Sequence, residues 1–254
     1  MRYAVLQKEL VAPDLEALKR ACRVLPSLRD IDAQTMFADA YGILSKGMDV
    51  LDASAFQDAL QAEGIATIVM EESELPIVPP AKIIRQIEFL PAHLNMYDPM
   101  GRVFALPWQD IMMIAAGDVR TQETRKAKSS SEPLQVFGPG NFPDQSDARS
   151  RHDAHQSLML ELFLVGGVSR YSINGGTFDF AYLEERYAGD LRKDFCALIR
   201  DLVEFAPHAG LNRGAFMASQ GGDDLFNYPN KAAFYEELVW MLWRISQAKS
   251  LSET

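Results

Sequence analysis

The sequence is short of cysteine, of positive charge and of long apolar runs, and each shortage closes off a class of chemistry. Its two cysteines, Cys22 and Cys196, form no Cys-x-x-Cys pair, which excludes a closed thiolate zinc site. Each falls on the apolar side of a helical pattern, where free Cys behaves as a small hydrophobe, so no disulfide is expected. Lys and Arg number 25 against 35 Asp and Glu, and the formal charge of −10 has the wrong sign for a surface that neutralises nucleic-acid phosphates. The longest apolar runs, such as Ile111 to Ala116 and Val239 to Trp243, fall far below the ~20 residues that cross a bilayer. Arg2, Lys8 and Glu9 interrupt the first ten residues where an export signal needs an unbroken apolar core. A cytoplasmic protein with no membrane span and no nucleic-acid partner is therefore expected. Phosphate-cradling loops are also missing: Gly138-Pro139-Gly140 and Gly166-Gly167 lead from no strand into a helix through G-x-x-x-x-G-K or G-x-G-x-x-G, and read as turns.

What is present is an ordinary globular composition, 48% hydrophobic and 24% charged over 254 residues, enough for one large domain or two small ones. Residues 2–10 alternate as a strand, and Pro13-Asp14 opens a helix carrying Leu15, Leu18, Cys22 and Leu25. A second helix over 30–40 places Ile31, Met36, Phe37 and Ala40 on one face. Tyr41 to Met48 reads as a strand, Asp52 as the N-cap of a helix using Phe56, Ala59 and Leu60, Gly64 as its C-cap, and Ile65 to Met70 as a buried strand. That βαβ unit, a right-handed crossover on general grounds, joins the first strand and helix in a small ferredoxin-like α/β sandwich. Pro76, Pro79 and Pro80 cannot donate to a ladder, so the α/β domain is expected to span 1–79.

Beyond Pro80 the pattern changes to short strands with turns: Ile83 to Leu90, Leu94 to Tyr97, Arg102 to Pro107 and Ile111 to Ala116. A loop insertion at 121–154 follows, poor in large apolar residues and holding Arg125, Lys126, Lys128 and Ser129 to Ser131. Strands return at Leu158 to Val165, Ser169 to Ile173 and Thr177 to Phe180, with Asn174-Gly175-Gly176 as a hairpin turn. From Asp190 a helix puts Leu191, Phe195, Leu198, Ile199, Leu202 and Ala206 inward, with Arg192, Lys193, Arg200, Asp201 and Glu204 on its solvated side. Residues 207–254 form a helical C-terminal extension, whose last helix opens at Pro229 or Asn230 and has an apolar arc wide enough for burial on more than one side.

Seven strands followed by an amphipathic helix over 82–206 resemble a pleckstrin-homology-like (PH-like) β-domain. Within them Gly101-Arg102-Val103-Phe104-Ala105-Leu106-Pro107-Trp108-Gln109-Asp110-Ile111 is similar to a phrase of bacterial members. The spacing Ala55, Leu60, Gly64-Ile65 and Val69 within 41–72 is similar to a small prokaryotic signal-transducing domain. The resemblance implies an α+β protein that binds a lipid, peptide or protein more than it catalyses, although the basic phosphoinositide pocket of the family is not evident in these residues.

No catalytic signature stands out. His152 and His155 have the H-x-x-H spacing that puts two imidazoles on one helix face, with Asp144, Asp147 and Asp153 as further candidate metal ligands. His93 and His208 stand at element ends and read as caps or surface groups. Gly221-Gly222-Asp223-Asp224 reads as a polar turn before a helix. Adjacent acids such as Glu71-Glu72, Glu184-Glu185 and Glu236-Glu237 point apart and read as solvated. Trp240 and Trp243, three apart on one helix, and Trp108 are the candidate interaction anchors, with core packing the competing reading. Arg213 is a candidate buried partner of an acid such as Asp224. The expected function is a non-enzymatic binding or regulatory module for a protein, peptide or small ligand, with no cofactor and with a homodimer among its partner states. The alternative is a metal-dependent enzyme with His152 and His155 at a site between the domains.

Overall fold

The computed structural model describes residues 1–39, 41–122, 154–167 and 169–252, and shows an α+β protein. Strand β1 (Tyr3–Gln7) is followed by α1 (Leu15–Cys22), α2 (Asp30–Asp39), β2 (Ile43–Met48), α3 (Val50–Ala62) and β3 (Thr67–Glu71). Asp14 caps α1 by accepting from the Ala17 amide, as its position before the helix predicts. For α3 the cap is Asp49, not Asp52: Met48 still pairs with Tyr3, so the first residue released from the ladder caps the helix and accepts from the Asp52 amide. On α2 the inward residues are Ala33 and Met36, whereas Ile31 and Phe37 are half exposed or more. The sheet order is β2-β1-β3 with β1 antiparallel to both neighbours, so the strands of the βαβ unit are parallel but separated by β1.

Next come β4 (Ala81–Ile84), β5 (Gln86–Phe89), β6 (His93–Tyr97), β7 (Val103–Pro107), β8 (Ile111–Gln122), β9 (Ala154–Leu164) and β10 (Arg170–Asn174). β5-β6-β7 form a small meander, while β4 pairs in parallel with β10 in a larger sheet that runs β8-β9-β10-β4. Only Arg85 separates β4 from β5, and its amide donates to the Tyr97 carbonyl at 2.8 Å. Arg85 and Gln86 thus both oppose Tyr97, the two-against-one count of a β-bulge, which bends one extended segment from one sheet into the other. β8 and β9 run as far as the pair Gln122 and Ala154, so strand replaces both ends of the expected 121–154 loop; residues 123–153 lie outside the described residues. Thr177 to Phe180 is not a strand. Gly175–Thr177 is a 3-10 turn after which Phe178 and Phe180 fall into the core from irregular backbone.

Helix α4 (Leu191–Phe205) starts at its Asp190 cap and buries Phe195, Leu198, Ile199 and Leu202; Leu191 is exposed. From 207 onward the chain returns to the larger sheet. β11 (Gly210–Leu211) and β12 (Asn227–Tyr228) both add in parallel to β8, with α5 (Arg213–Ser219) between them. A Cβ on Gly214 would stand 1.9 Å from the Ala116 carbonyl oxygen, so only glycine lets α5 lie directly on the β8 backbone.

The last helix, α6 (Lys231–Ser252), lies between the first three-stranded sheet and the six-stranded sheet. Its Trp240 and Trp243 pack on Ala4, Leu6 and Ile43 of the first sheet, and its Phe234, Leu238 and Leu242 pack on Met113, Ala115 and Phe163 of the second. Strand alternation sorts the other side of β8 and β9, Ile114, Ala116, Leu158, Leu160 and Leu162, toward α4 and the meander. α6 is therefore shared core, which is why its apolar arc is so wide.

Candidate functional site

The structure distributes the residues singled out in the sequence. His155 lies in β9 opposite Thr121, on a strand and not the helix that H-x-x-H spacing calls for, and His152, Asp144, Asp147 and Asp153 lie outside the described residues. Among the described residues no group of three His, Cys, Asp or Glu side chains is placed to hold a metal ion. Trp240 and Trp243 are 8% and 6% exposed and pack on the first sheet. Cys22 and Cys196 are buried free thiols whose pKa burial pushes up to about 11. Arg213 pairs with Glu237, not Asp224.

Two buried polar assemblies hold the layers together. Asn212 donates to the Ala116 carbonyl and to the Tyr228 hydroxyl, and its carbonyl accepts from the Ala116 and Ala215 amides. Tyr228 passes a 2.7 Å hydrogen bond to Glu237, which also takes the amide and guanidinium of Arg213. The Arg213 guanidinium lies 3.7 Å from the Tyr41 ring centre. The second assembly is Glu161 on β9, which accepts from Tyr235 and Ser172 at 3.0 Å and is ion-paired to Arg170 at 3.2 Å. Arg170 also donates to the Pro79 carbonyl, fastening the segment where a boundary is expected to the sheet. Every partner in these groups is another part of the chain, which marks them as scaffold.

A different arrangement surrounds β5. The Leu90 amide donates to the His93 carbonyl at 3.1 Å, which sets the ladder pairs at Leu90, Glu88 and Gln86. By alternation the main-chain groups of Ile87 and Phe89 point away from β6. Among the described residues β5 pairs with no strand on that side. It faces instead a cleft of about 680 Å³, walled by Ala181, Tyr182, Glu184 and Arg186 and by Asp201, Glu204 and Phe205 at the end of α4. The strand edge stays open because the bulge at Arg85 has turned the chain out of the larger sheet. Just above, the Asp179 amide donates to the Arg85 carbonyl at 2.7 Å and the Arg85 side chain donates to the Thr177 carbonyl.

The floor is aromatic. Phe89 stacks on Trp108 with centroids 5.6 Å apart, and Phe205 lies 4.8 Å from Trp108 and 5.3 Å from Phe89. Trp108 is 8% exposed and donates its indole N–H to the Leu90 carbonyl, so the third expected anchor lies beneath the cleft, not on its surface. Phe205 is 40% exposed and presents its ring. The rim is acidic: Glu88, Glu184, Asp201 and Glu204 stand against one guanidinium, Arg186, which grips Asp201 through two hydrogen bonds of 2.8 and 2.9 Å. The Tyr182 hydroxyl is buried beside Asp201 without a well-formed hydrogen bond, and burial, then that carboxylate, pushes its pKa far above the ordinary phenol value. Glu184 joins two 3-10 turns at φ 48° and ψ −117°, the one non-glycine residue with positive φ among those described. In the sequence Glu184, Asp201 and Glu204 read as solvated, and no motif marks Tyr182 or Arg186. No protein family, curated protein or solved structure matches the chain.

Proposed function

We propose that the protein is a non-enzymatic binding module that receives an extended segment of a partner protein along the open edge of β5. The observation that carries this reading is the pair of outward main-chain positions, Ile87 and Phe89, opening onto a cleft with an aromatic floor. An added strand gains affinity from main-chain hydrogen bonds and selectivity from the pockets that take alternate side chains. The succession of strands from β4 to β10 closed by amphipathic α4 supports a PH-like description of this part. The β2-β1-β3 order supports a ferredoxin-like description of the first part, with α2 taking the place of one strand in the chain order. Both resemblances favour binding over catalysis.

The test is selection of displayed random peptides on the full chain, followed by titration of the enriched sequences carrying N-methyl groups one amide at a time. Strand addition predicts that N-methylation at alternate positions weakens binding at least tenfold while the intervening positions tolerate it, and that the Ile87 and Phe89 amides exchange more slowly in the complex. Failure to enrich any peptide, or a response to N-methylation with no alternation, would overturn the reading.

A further inference from the structure

We infer that the segment received at β5 carries an arginine or lysine whose cation is seated at the C-terminal end of α4, against Glu204 and the Phe205 ring. The inferred partner class rests on the reading of β5 as the receiving strand. Two features of this end of the helix point to a cation from outside the chain.

The first is the local electrostatics of α4. A helix C-terminus carries the negative end of the macrodipole and is stabilised by Lys or Arg in its last turn. α4 has no basic residue there. It has Glu204 beside its final residue, and Asp201 one turn from the end, where each opposes the dipole. Asp201 is relieved by Arg186. Among the described residues Glu204 and Glu184 enter no ion pair, and Glu88 is held only by the neutral Asn95 amide and Tyr97 hydroxyl. The chain thus breaks a helix-design rule at a point where a visiting cation restores it, and rule-breaking of this kind concentrates at functional positions.

The second is the Phe205 ring. Its tilted contacts with Trp108 and Phe89 hold it in place, while the residue is 40% exposed and lines the cleft. An aromatic face beside a carboxylate at a helix C-terminus offers cation–π and Coulomb attraction together, and guanidinium suits such a stack better than ammonium. The net charge of −10 steers a basic segment inward and repels an acidic one.

The experiment compares a selected peptide with its copy in which the basic residue is replaced by citrulline or glutamine, on the wild-type chain and on Glu204→Gln. The expected result is that selected peptides share one basic position and that neutralising it weakens binding about tenfold. Glu204→Gln then weakens the basic peptide severalfold while leaving the neutral copy unchanged. Affinity for the basic peptide falls as salt rises. Phe205→Leu, which keeps an apolar side chain at this exposed position, should weaken the basic peptide more than the neutral one. Enriched peptides that are neutral or acidic, bind without salt dependence and ignore Glu204→Gln would overturn the cation site. If those peptides still show alternating sensitivity to N-methylation, the strand reading survives. Loss of that alternation instead counts against the strand reading itself.

Discussion

Trp240 donates its indole N–H to the main-chain carbonyl of Gln7 at 2.7 Å, joining positions 233 residues apart in the chain. Both groups are buried, so the bond is made where water cannot replace it. The contact is also tight around Gly42, whose φ is +87° and where a Cβ would stand 2.4 Å from the Trp240 ring. α6 is thereby clamped to the first sheet as well as to the second. Trp240→Phe keeps most of the apolar burial but leaves the Gln7 carbonyl unpaired, at a cost of about 1–3 kcal/mol. Gly42→Ala should cost more, because strain and overlap act together. Both predictions are checked by denaturant unfolding followed with separate probes in the first and second sheets. Because α6 is common to both cores, the two probes should shift together; a loss confined to the first sheet would show that the clamp does not couple them.

A second prediction concerns Asn212, whose side chain at once caps α5 and meets both main-chain groups of Ala116. Asn212→Ala removes the cap, worth ~1 kcal/mol, and leaves buried β8 groups without partners, for a total of roughly 3 kcal/mol. Tyr228→Phe removes the shared hydroxyl and should cost about 1–2 kcal/mol. Since the two side chains are hydrogen-bonded to one another, the double variant should fall short of the sum by at least ~0.5 kcal/mol. Strict additivity in equilibrium unfolding would show that the two act separately.

Much of the fold was legible because it is written in local chemistry. Asp14 and Asp190 announce α1 and α4 by the same capping bond, and the wide apolar arc of the last helix announces burial on more than one side. The rest depends on pairing. Two-residue strands such as β11 and β12 carry no period, and Thr177 to Phe180 alternates like a strand although, among the described residues, it joins no sheet and its long-range main-chain pairing is the single Asp179-to-Arg85 bond. The cleft was illegible for a related reason. An open edge is a property of which strands sit beside β5, and Asp201 and Glu204 look like any solvated helix face until the end of α4 is placed against that edge.

The third prediction is a pH dependence centred on Glu161. Burial raises its pKa above the ordinary carboxylate value, and Arg170, Tyr235, Ser172 and Lys231 only partly offset this. A carboxyl with a raised folded pKa binds its proton more tightly folded than unfolded. Its favourable contribution is therefore complete below the unfolded pKa of about 4.3 and is lost as pH rises through the folded pKa. Glu161→Gln does not titrate, and it leaves Arg170 without its charge partner at every pH. The wild-type advantage over Glu161→Gln should therefore be largest in acid and shrink as pH rises through that window, measured by urea unfolding at a series of pH values. An advantage that grows with pH would mean that the pairing with Arg170 dominates burial.

The fourth prediction isolates backbone strain at the cleft. Glu184 holds φ 48° and ψ −117°, a conformation that costs a side-chain-bearing residue on the order of 1–3 kcal/mol and glycine far less. Against that gain stands the extra unfolded-state freedom of glycine, about 0.5–1 kcal/mol, so Glu184→Gly should stabilise the protein by ~1 kcal/mol. In a chain of 254 residues this raises Tm by roughly 2–4 °C. Glu184→Ala removes the same carboxylate but keeps the Cβ, and should leave Tm nearly unchanged. Comparing the two separates backbone from charge: both variants lose one rim carboxylate, so both should weaken a basic peptide alike, while only the glycine variant gains stability. Equal Tm for the two would show that the surrounding turns impose no strain at 184. A gain in Ala matching that in Gly would place the cost in carboxylate repulsion along the rim and so strengthen the case that this edge awaits a positive partner.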